Sequence, residues 1–366
     1  MIAVVGGGLA GLSAAARLAK VGHAVHVLEQ EPELGSTVDI AAEPDDTVIT
    51  LPAAWRDLFR KSGRILDAEL ARRGLTLTPA PPRRYRFADG SMLELPTGRG
   101  EQWDVLTLAY GEPAAEAWRN LLDHLDDVWQ VLRGFGLESE FTGPGQLTPQ
   151  VRGILRPRES IARTAAALPV AQLTEVVLDV AARLGQDPRH LPGWHAFRLS
   201  VERTFGRWQL VSASGEPRPA SVLVELLLER VRSRGVEIST GVEVTSLRRS
   251  DGVRRVLTTA GELHASHVIS TVPPASHAQL TRERADLRTS RQLRPAATHG
   301  PRWESWRTLL ALPLVQPGPP GVLVASAWSP GGPDAWAQLL TGALAAYRVH
   351  SQLTGEDIRP TNKARR

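Results

Sequence analysis

The sequence predicts an α/β fold, in which a parallel sheet covered by helices is interrupted by a mostly helical insertion. Three observations support this prediction. Residues 2–5 form a short apolar run, apolar residues recur at helical spacing over 12–21, and a second apolar run follows at 23–28. Alternation of helix and strand returns after residue 219. Between these two regions the spacing of apolar residues is predominantly helical.

The composition narrows the class of protein. The chain has 366 residues, of which 42% are hydrophobic and 22% charged, as in globular proteins with a buried core. It has no cysteine, which excludes disulfides, thiolate metal sites and a redox-active or nucleophilic cysteine. The net charge is +4 without a basic stripe interleaved with aromatics, so we expect no nucleic-acid partner. Without a long apolar run or a signal-peptide pattern, we expect a cytoplasmic location.

The glycine-rich turn after the first strand predicts a dinucleotide site. Gly6, Gly8 and Gly11 form G-x-G-x-x-G, with Leu9 and Ala10 between the last two glycines. The first glycine permits a tight turn, the second lets the backbone approach a pyrophosphate, and the third lets the helix pack on the strand. The helix N-terminus then faces the phosphates with free N–H groups and the positive end of its dipole.

An acidic residue follows the second strand at the position that this motif requires. Glu29, next to Gln30, can accept hydrogen bonds from a ribose hydroxyl, and its charge disfavours a 2′-phosphate. We therefore predict a Rossmann-type domain. The alternative is a chance glycine turn in an unrelated α/β protein. Spacing alone does not distinguish NAD from FAD at this turn.

Other elements follow from periodicity and turn residues. Hairpins are predicted around Asp89-Gly90 and Ala260-Gly261. Glycine- and proline-rich or polar stretches at 134–157 and 282–300 predict loops. The predicted helices, besides the first, cover 55–74, 113–132, 162–184 with a break near Pro169, 221–233 and 335–353.

Several stretches resemble one known family. The N-terminal stretch GGGLAGLSAAARLAKVGHAVHVLEQEPELG, the strand HASHVISTVPP, the hairpin FADGSMLEL and the C-terminal stretch GVLVASAWSPGGPDAWAQLLTGALAAYRVH are similar to the FAD-dependent amine oxidase superfamily. So is FGRWQLVSASGEPRPASVLVELLLERVRSRGVEISTGVEVTSL. The carotenoid (phytoene) desaturase branch is the most similar. The resemblance covers both ends of the chain well and its middle loosely.

The resemblance implies FAD as cofactor and assigns further residues to its site. By analogy Gly35 follows the ribose-binding residue and Val244 lies near the adenine. Ser326, Gly331, Gly332 and the Thr341-Gly342 turn would lie near the flavin and its pyrophosphate. The implied domains are a discontinuous FAD-binding domain at 1–60, 210–280 and 315–355, a substrate domain at 61–209 and 281–314, and a flexible tail at 356–366.

The chain departs from the family pattern in three places. Gly35-Ser36-Thr37 replaces the usual Gly-Gly-Arg, and Ser326-Ala327 replaces a Gly-Asp pair. Only 46 residues separate Pro274 from Gly321, where the family has a longer segment. We therefore expect fewer cofactor contacts and a more open site, closed by a membrane or a partner.

The expected chemistry is oxidation of an apolar molecule. Amine oxidases of this superfamily use a lysine near the flavin, and Lys20, Lys61 and Lys363 are poorly placed for that role. We predict desaturation of an apolar substrate, with an unknown electron acceptor and no metal. No catalytic residue can be assigned from the sequence, and His124, His190 and His195 are not assigned as a catalytic base. The alternatives are an amine oxidase or protoporphyrinogen-oxidase-like enzyme, and an FAD-binding accessory protein without turnover.

Two groups of aromatic residues can each be interpreted in two ways. Tryptophans of the predicted substrate domain could line an apolar tunnel or belong to the core; they are Trp103, Trp118, Trp129, Trp194 and Trp208. The helix around Trp55 combines apolar and basic residues, and it could lie on a membrane surface or pack its apolar face inside. The residues concerned are Trp55, Leu58 and Phe59, with Arg56, Arg60 and Lys61.

Overall fold

The computed structural model describes residues 1–35, 46–250, 253–296, 300–316 and 321–359, and it confirms the α/β fold. The strands are β1 Ile2–Val5, β2 Val25–Leu28, β3 Val48–Thr50, β4 Leu75–Pro79, β5 Arg83–Arg86, β6 Met92–Leu95, β7 Arg207–Ser212, β8 Pro217–Arg218, β9 Glu237–Ser239, β10 Val244–Ser250, β11 Val253–Thr258, β12 Gly261–Ala265, β13 His267–Ser270 and β14 Val322–Val324. The helices are α1 Leu9–Lys20, α2 Pro52–Lys61, α3 Leu66–Arg72, α4 Arg99–Tyr110, α5 Glu112–Arg133, α6 Pro149–Leu155, α7 Ile161–Ala166, α8 Ala171–Arg183, α9 Phe197–Phe205, α10 Val222–Ser233, α11 Pro274–Thr281, α12 Arg284–Gln292, α13 Thr308–Ala311 and α14 Ala335–Thr354.

The central sheet is parallel and has the order β14–β13–β1–β2–β9. Its strands are short apolar runs because both faces are covered: every residue of β1, β2, β13 and β14 is buried. Val5, the last residue of β1, lies level with Leu28 on one side and Ser270 on the other. The chain leaves β1 toward β2 and leaves β13 toward β14, in opposite directions. The carboxyl ends of β1 and β13 therefore form a topological switch point, where α/β sheets bind ligands.

The last helix packs directly on the first. A side chain on Gly342 would come within 2.2 Å of the Ala10 carbonyl oxygen, so only glycine allows this approach of α14 to α1. The Ser13 hydroxyl donates to the Leu339 carbonyl at 2.7 Å, and the Arg17 guanidinium reaches Tyr347. This contact brings the C-terminal segment to the glycine-rich turn. The resemblance of both ends of the chain to one family leads us to expect that they lie together.

The inserted region is mostly helical. In α5 the apolar residues Trp118, Leu122, Leu125 and Trp129 recur at helical spacing and are buried, which explains why this long helix was predictable. The insertion also contains β4 and the hairpin of β5 and β6. Strand β4 pairs with β7, and β7 pairs with β3 and β8, which lie outside the predicted bounds 61–209 of the insertion. Strands β10–β12 form a separate antiparallel sheet.

Four details of the predicted secondary structure are wrong. The helix predicted at 55–74 is two helices, α2 and α3, separated by Gly63 at φ 88°. The predicted loop at 134–157 contains α6, whose N-terminus is capped by Thr148. The predicted loop at 282–300 contains α12. Thr341-Gly342 is not a turn, because it lies inside α14. The end of the predicted tail, 360–366, lies outside the described residues.

The surface interpretation of α2 is wrong. Trp55, Leu58 and Phe59 are at most 1% exposed, so the apolar face of α2 packs into the core. Two basic residues of the helix form ion pairs, Arg56 with Asp67 at 3.0 Å and Arg60 with Asp57 at 2.9 Å. This helix therefore has no apolar face left for a membrane.

The tryptophans of the insertion belong mainly to its core. Trp118, Trp129 and Trp194 are buried, and Trp103 and Trp208 are half-buried. Trp129 stacks on Phe197 with ring centroids 5.7 Å apart and meets Trp336 of α14 edge-on at 5.6 Å. These rings join the insertion to the last helix.

Candidate functional site

The glycine-rich turn has the geometry that its three glycines predict. Gly6 has φ 98°, which favours glycine, and its carbonyl accepts from the Thr271 hydroxyl at 3.1 Å. A side chain on Gly11 would come within 2.3 Å of the Gly6 carbonyl oxygen. A Cβ on Gly8 would meet no heavy atom within 4 Å, so the second glycine faces open space. Gly8 is also the N-cap of α1, and no side chain caps the helix amides there.

Glu29 lies at the carboxyl end of β2 and is 7% exposed. Its carboxylate accepts hydrogen bonds from the backbone N–H of Gly7 at 2.6 Å and of Glu31 at 3.0 Å. These two donors hold the carboxylate against the glycine-rich turn. A carboxylate has about four acceptor positions, so it can still accept from ribose hydroxyls.

A cavity of about 530 Å³ opens at the switch point of the sheet. Its size is within the usual range for small-molecule sites. Predicted site residues that line it come from four separate parts of the chain and are Gly6, Gly8, Leu9, Glu29, Gln30, Val244 and Ser326. The sheet thus brings together seven residues that lie up to 320 positions apart in the sequence.

The other predicted residues do not line the cavity that the described residues form. Ala10 and Gly11 form the contacts of α1 with α14 and with the turn. Gly35 has φ 86° and faces Val224 and Leu228 of α10. Ser36 and Thr37, where the family has Gly-Arg, lie outside the described residues.

The C-terminal glycines and Thr341 hold the turn before α14. The Thr341 hydroxyl is fully buried and donates to the Ala337 carbonyl at 2.9 Å. A Cβ on Gly331 would come within 3.0 Å of the Gly136 carbonyl oxygen, and Gly332 has φ 91°. None of these three residues lines the cavity in the described part of the chain, so their predicted contact with the cofactor would be indirect.

Sequence reasoning missed several residues of the cavity wall. Thr271, Trp328 and Pro333 lie within stretches that resemble the family, next to residues that were assigned. Arg183 at the end of α8 carried no such signal, since it looks like an ordinary C-terminal helix cation. Its side chain is 10% exposed and pairs with Asp179 at 3.0 Å.

A buried polar network joins the insertion to the start of α14. The Arg198 guanidinium donates to both carboxylate oxygens of Asp334, at 3.1 and 2.5 Å, and both side chains are less than 10% exposed. It also donates to Nδ1 of His195 at 3.1 Å. Because arginine can only donate, Nδ1 is the acceptor and the neutral ring carries its proton on Nε2. Asp334 follows Pro333 of the cavity wall, so this network positions that wall.

The network makes stability sensitive to acid. Burial, with the Arg198 guanidinium beside it, holds the pKa of His195 well below its ordinary value of 6.5. As pH falls below 6.5 the unfolded chain binds a proton at this ring and the folded chain does not, so stability is lost. We expect the free energy of unfolding to fall between pH 7 and 5 more steeply in the parent than in His195→Gln, by up to about 1.4 kcal/mol per pH unit. Equal slopes in urea titrations of the two proteins would contradict this expectation.

The fold and the switch-point cavity define a dinucleotide-binding protein, and comparison with known proteins identifies its family. Residues 4–68 match the NAD(P)-binding Rossmann-like domain. Residues 41–316 match the family of flavin containing amine oxidoreductases, so the chain belongs to this family. Membership of this family identifies FAD as the cofactor.

Curated relatives are similar over parts of the chain. A phytoene dehydrogenase from Streptomyces griseus is 31% identical over 152 residues, which are 40% of this chain and 29% of the relative. A hydroxyneurosporene desaturase from Cereibacter sphaeroides is 35% identical over 33% of this chain and 25% of the relative. A 4,4′-diapolycopene oxygenase from a Methylomonas species is 23% identical over 81% of this chain and 61% of the relative.

Solved structures support the fold. Putrescine oxidase with bound putrescine has a TM-score of 0.55 at 17% identity, covering 81% of this chain and 63% of that one. Cyclohexylamine oxidase from Brevibacterium oxydans has a TM-score of 0.50 at 17% identity, covering 76% of this chain and 59% of that one. The chain therefore spans less than two thirds of the length of the relatives and structures described here.

The cavity fits the pyrophosphate and ribose of FAD. The backbone at Gly8 is open to the cavity, and the α1 N-terminus has no side-chain cap, so its amides can donate to a phosphate. The buried Glu29 carboxylate lies at the end of the neighbouring strand, where a ribose hydroxyl would donate to it. Together with Val244, which lines the same cavity, these residues would hold the adenosine diphosphate half of the cofactor.

We expect Glu29→Ala to weaken FAD binding about ten- to a hundredfold. A charge-assisted hydrogen bond to the ribose is worth roughly 1.5–3 kcal/mol, and about 1.4 kcal/mol corresponds to one decade of affinity. Glu29→Gln retains one acceptor oxygen and should lose less. Quenching of FAD fluorescence on titration of the apoprotein measures both affinities. Parent-like binding by Glu29→Ala would place the ribose elsewhere.

Proposed function

We propose that this chain uses FAD to remove hydrogen from an apolar small molecule, as desaturases do. The chemical character of the cavity wall supports the proposal most directly. Toward the insertion and the C-terminal turn, the wall contains the apolar residues Leu184, Pro295, Trp328 and Pro333, and its polar members there are Arg183, Ser326 and Gln338. The lining carboxylates, Glu29 and Glu243, lie at the ribose end. Relatives named for desaturation of phytoene and hydroxyneurosporene support the same class of substrate.

The amine oxidase alternative is less well supported by these residues. An alkyl amine is a cation at neutral pH, and a buried cation needs a carboxylate partner. Among the described residues, the lining contributed by the insertion and the C-terminal turn includes no carboxylate. Of the lysines in the described part of the chain, Lys20 ends α1 and Lys61 ends α2, and neither lines the cavity. No described lysine is therefore placed to act beside the flavin.

In the proposed reaction the substrate loses two hydrogens from neighbouring carbons, and a double bond forms between those carbons. Bound FAD supplies the oxidising power, taking up the two electrons and the two protons. The chain's own residues bind and orient: the glycine-rich turn and Glu29 would hold the cofactor, and Ser326 would lie near its flavin. Trp328 and Pro333 would exclude water from the apolar end of the cavity, where fixed dipoles then act in a lower dielectric.

Anaerobic reduction of the bound flavin tests the proposal. We expect phytoene in detergent or liposomes to bleach the flavin absorbance and putrescine to leave it unchanged. Bleaching by putrescine alone would favour the amine oxidase alternative. A flavin that dithionite reduces but that neither compound reduces would favour an accessory protein without turnover.

We also propose that such a substrate reaches the cavity from a lipid surface, because long apolar molecules partition into membranes. In the described part of the chain no helix is long and apolar enough to cross a membrane. With α2 buried, the contact would involve another surface. Sedimentation with liposomes tests this step: protein that stays in the supernatant and yet reduces fully with substrate would contradict it.

A further inference from the structure

A second cavity, of about 430 Å³, lies on the surface of the insertion. We call it the arginine pocket. It shares no lining residue with the cavity at the switch point. It is formed by the end of α6, the connection to α7, the first turn of α7 and the segment before α13. Its lining residues are Arg152, Arg156, Pro157, Arg158, Glu159, Arg163 and Trp306.

The positive charge of the arginine pocket is not neutralised by the protein. The lining includes four arginines and one carboxylate, that of Glu159, which accepts from the Thr164 hydroxyl at 3.1 Å and lies 4.0 Å from Arg156. Within the described ranges, Arg152, Arg158 and Arg163 form no ion pair.

Several arginines elsewhere on the surface are paired. Arg133 contacts Glu138 at 2.7 Å and Arg255 contacts Glu262 at 2.6 Å. Arg84 contacts Glu94 at 2.7 Å. The arginine pocket differs from these sites because three arginines that form no ion pair with any described residue line one concave surface.

The backbone that carries these arginines is fixed to the rest of the insertion. The Gly193 N–H donates to the Glu159 carbonyl at 2.7 Å, and the Ile161 N–H donates to the Leu191 carbonyl at 2.8 Å. Ser160 and Pro192 form an antiparallel bridge between the same two segments. The frame from which the guanidinium groups extend is thus preorganised, and less ordering is needed when a ligand binds.

We propose that the arginine pocket binds a phosphate-bearing ligand. Planar guanidinium groups match phosphate oxygens in bidentate geometry, and several around one site favour a multiply charged anion. Trp306, which is half-buried at the edge, offers a ring face to an aromatic or apolar part of the ligand. The volume suits a small molecule of the size of a nucleoside diphosphate. The same chemistry would also accept a phosphate-bearing lipid headgroup.

Calorimetric titration of the FAD-loaded chain tests this inference. The probes are inorganic pyrophosphate, ADP, and vesicles of phosphatidylcholine with and without phosphatidylglycerol. The cofactor site is first filled with FAD, so that the probes cannot bind there. The absorbance of the bound flavin shows that the site stays occupied. We expect saturable binding of one pyrophosphate or ADP per chain, or of the anionic vesicles alone if a lipid headgroup is the source.

Substitutions distinguish binding in the arginine pocket from nonspecific attraction to the positive charge of the protein. Arg152→Gln with Arg158→Gln should weaken binding of the effective probe at least tenfold, because each charge-assisted contact is worth about a decade. Arg84→Gln with Arg255→Gln removes the same charge from paired surface sites and should leave binding unchanged. Trp306→Leu should weaken ADP but not pyrophosphate. Because these arginines are exposed, circular dichroism should show parent-like folding.

Three results would overturn the inference. The first is no saturable binding of any probe. The second is an equal loss of binding in the control pair, which would show unspecific attraction to net charge. The third is full binding by the Arg152 and Arg158 variant. None of these results depends on the proposed oxidation, since FAD reduction is not the readout.

Discussion

Gly8→Val is expected to bind FAD more than a hundredfold more weakly and to fold like the parent. Gly8 has φ −71° and ψ 176°, which valine adopts freely, and its Cβ would meet no heavy atom within 4 Å. The added side chain therefore projects only into the cavity, where it would occupy the space of the pyrophosphate. A hundredfold loss corresponds to about 2.7 kcal/mol. FAD fluorescence quenching measures the affinity, and thermal unfolding of the apoprotein measures the fold.

Gly11→Val is the contrasting variant. Its Cβ would lie 2.3 Å from the Gly6 carbonyl oxygen, so the first helix would have to move away from the strand. We expect the apoprotein of this variant to be destabilised, whereas that of Gly8→Val is not. If Gly8→Val bound FAD like the parent, the pyrophosphate would not lie at this turn.

Arg198→Met is expected to destabilise the protein by about 3–5 kcal/mol, because it leaves the Asp334 carboxylate buried without its partner. The double variant Arg198→Met with Asp334→Leu should recover much of this loss, since removing both charges removes the desolvation cost. Urea unfolding at pH 7 measures each free energy of unfolding.

An exposed pair provides the control. Arg133 and Glu138 are 33% and 48% exposed, so Arg133→Met should cost at most about 1 kcal/mol. A similar loss in both single variants would show that the Arg198 pair is not desolvated. No recovery in the double variant would show that packing, and not charge, carries the effect.

The FAD half of the fold was predictable because its signals are local. Strands β1 and β2 are continuous apolar runs, and the turn between β1 and α1 requires glycine at Gly6 and Gly11 for reasons visible in a few residues. The same holds for the apolar strand β13 before its two prolines. Each element is specified by neighbours in the sequence, so pattern and structure agree.

Pairings between distant residues were not predictable. Ile49 of β3 lies opposite Trp208 of β7, and Arg198 meets Asp334, and nothing in either local sequence specifies its partner. The position of Arg183 in the cavity wall was likewise not predictable, because the sequence around it does not specify which distant residues it lies beside. Helix α12 was missed because its residues RADLRTSRQ are mostly polar and lack an apolar period, which is how a loop looks in one sequence.

Analysis of the cofactor released from the purified protein tests the central claim most directly. The protein is denatured after purification and reconstitution, and the released compound is identified by chromatography and quantified against the chain. We predict one FAD per chain for the parent and far less for Gly8→Val under the same conditions. A colourless protein that FAD cannot reconstitute, release of FMN or a nicotinamide dinucleotide instead, or equal FAD in both proteins would contradict the account.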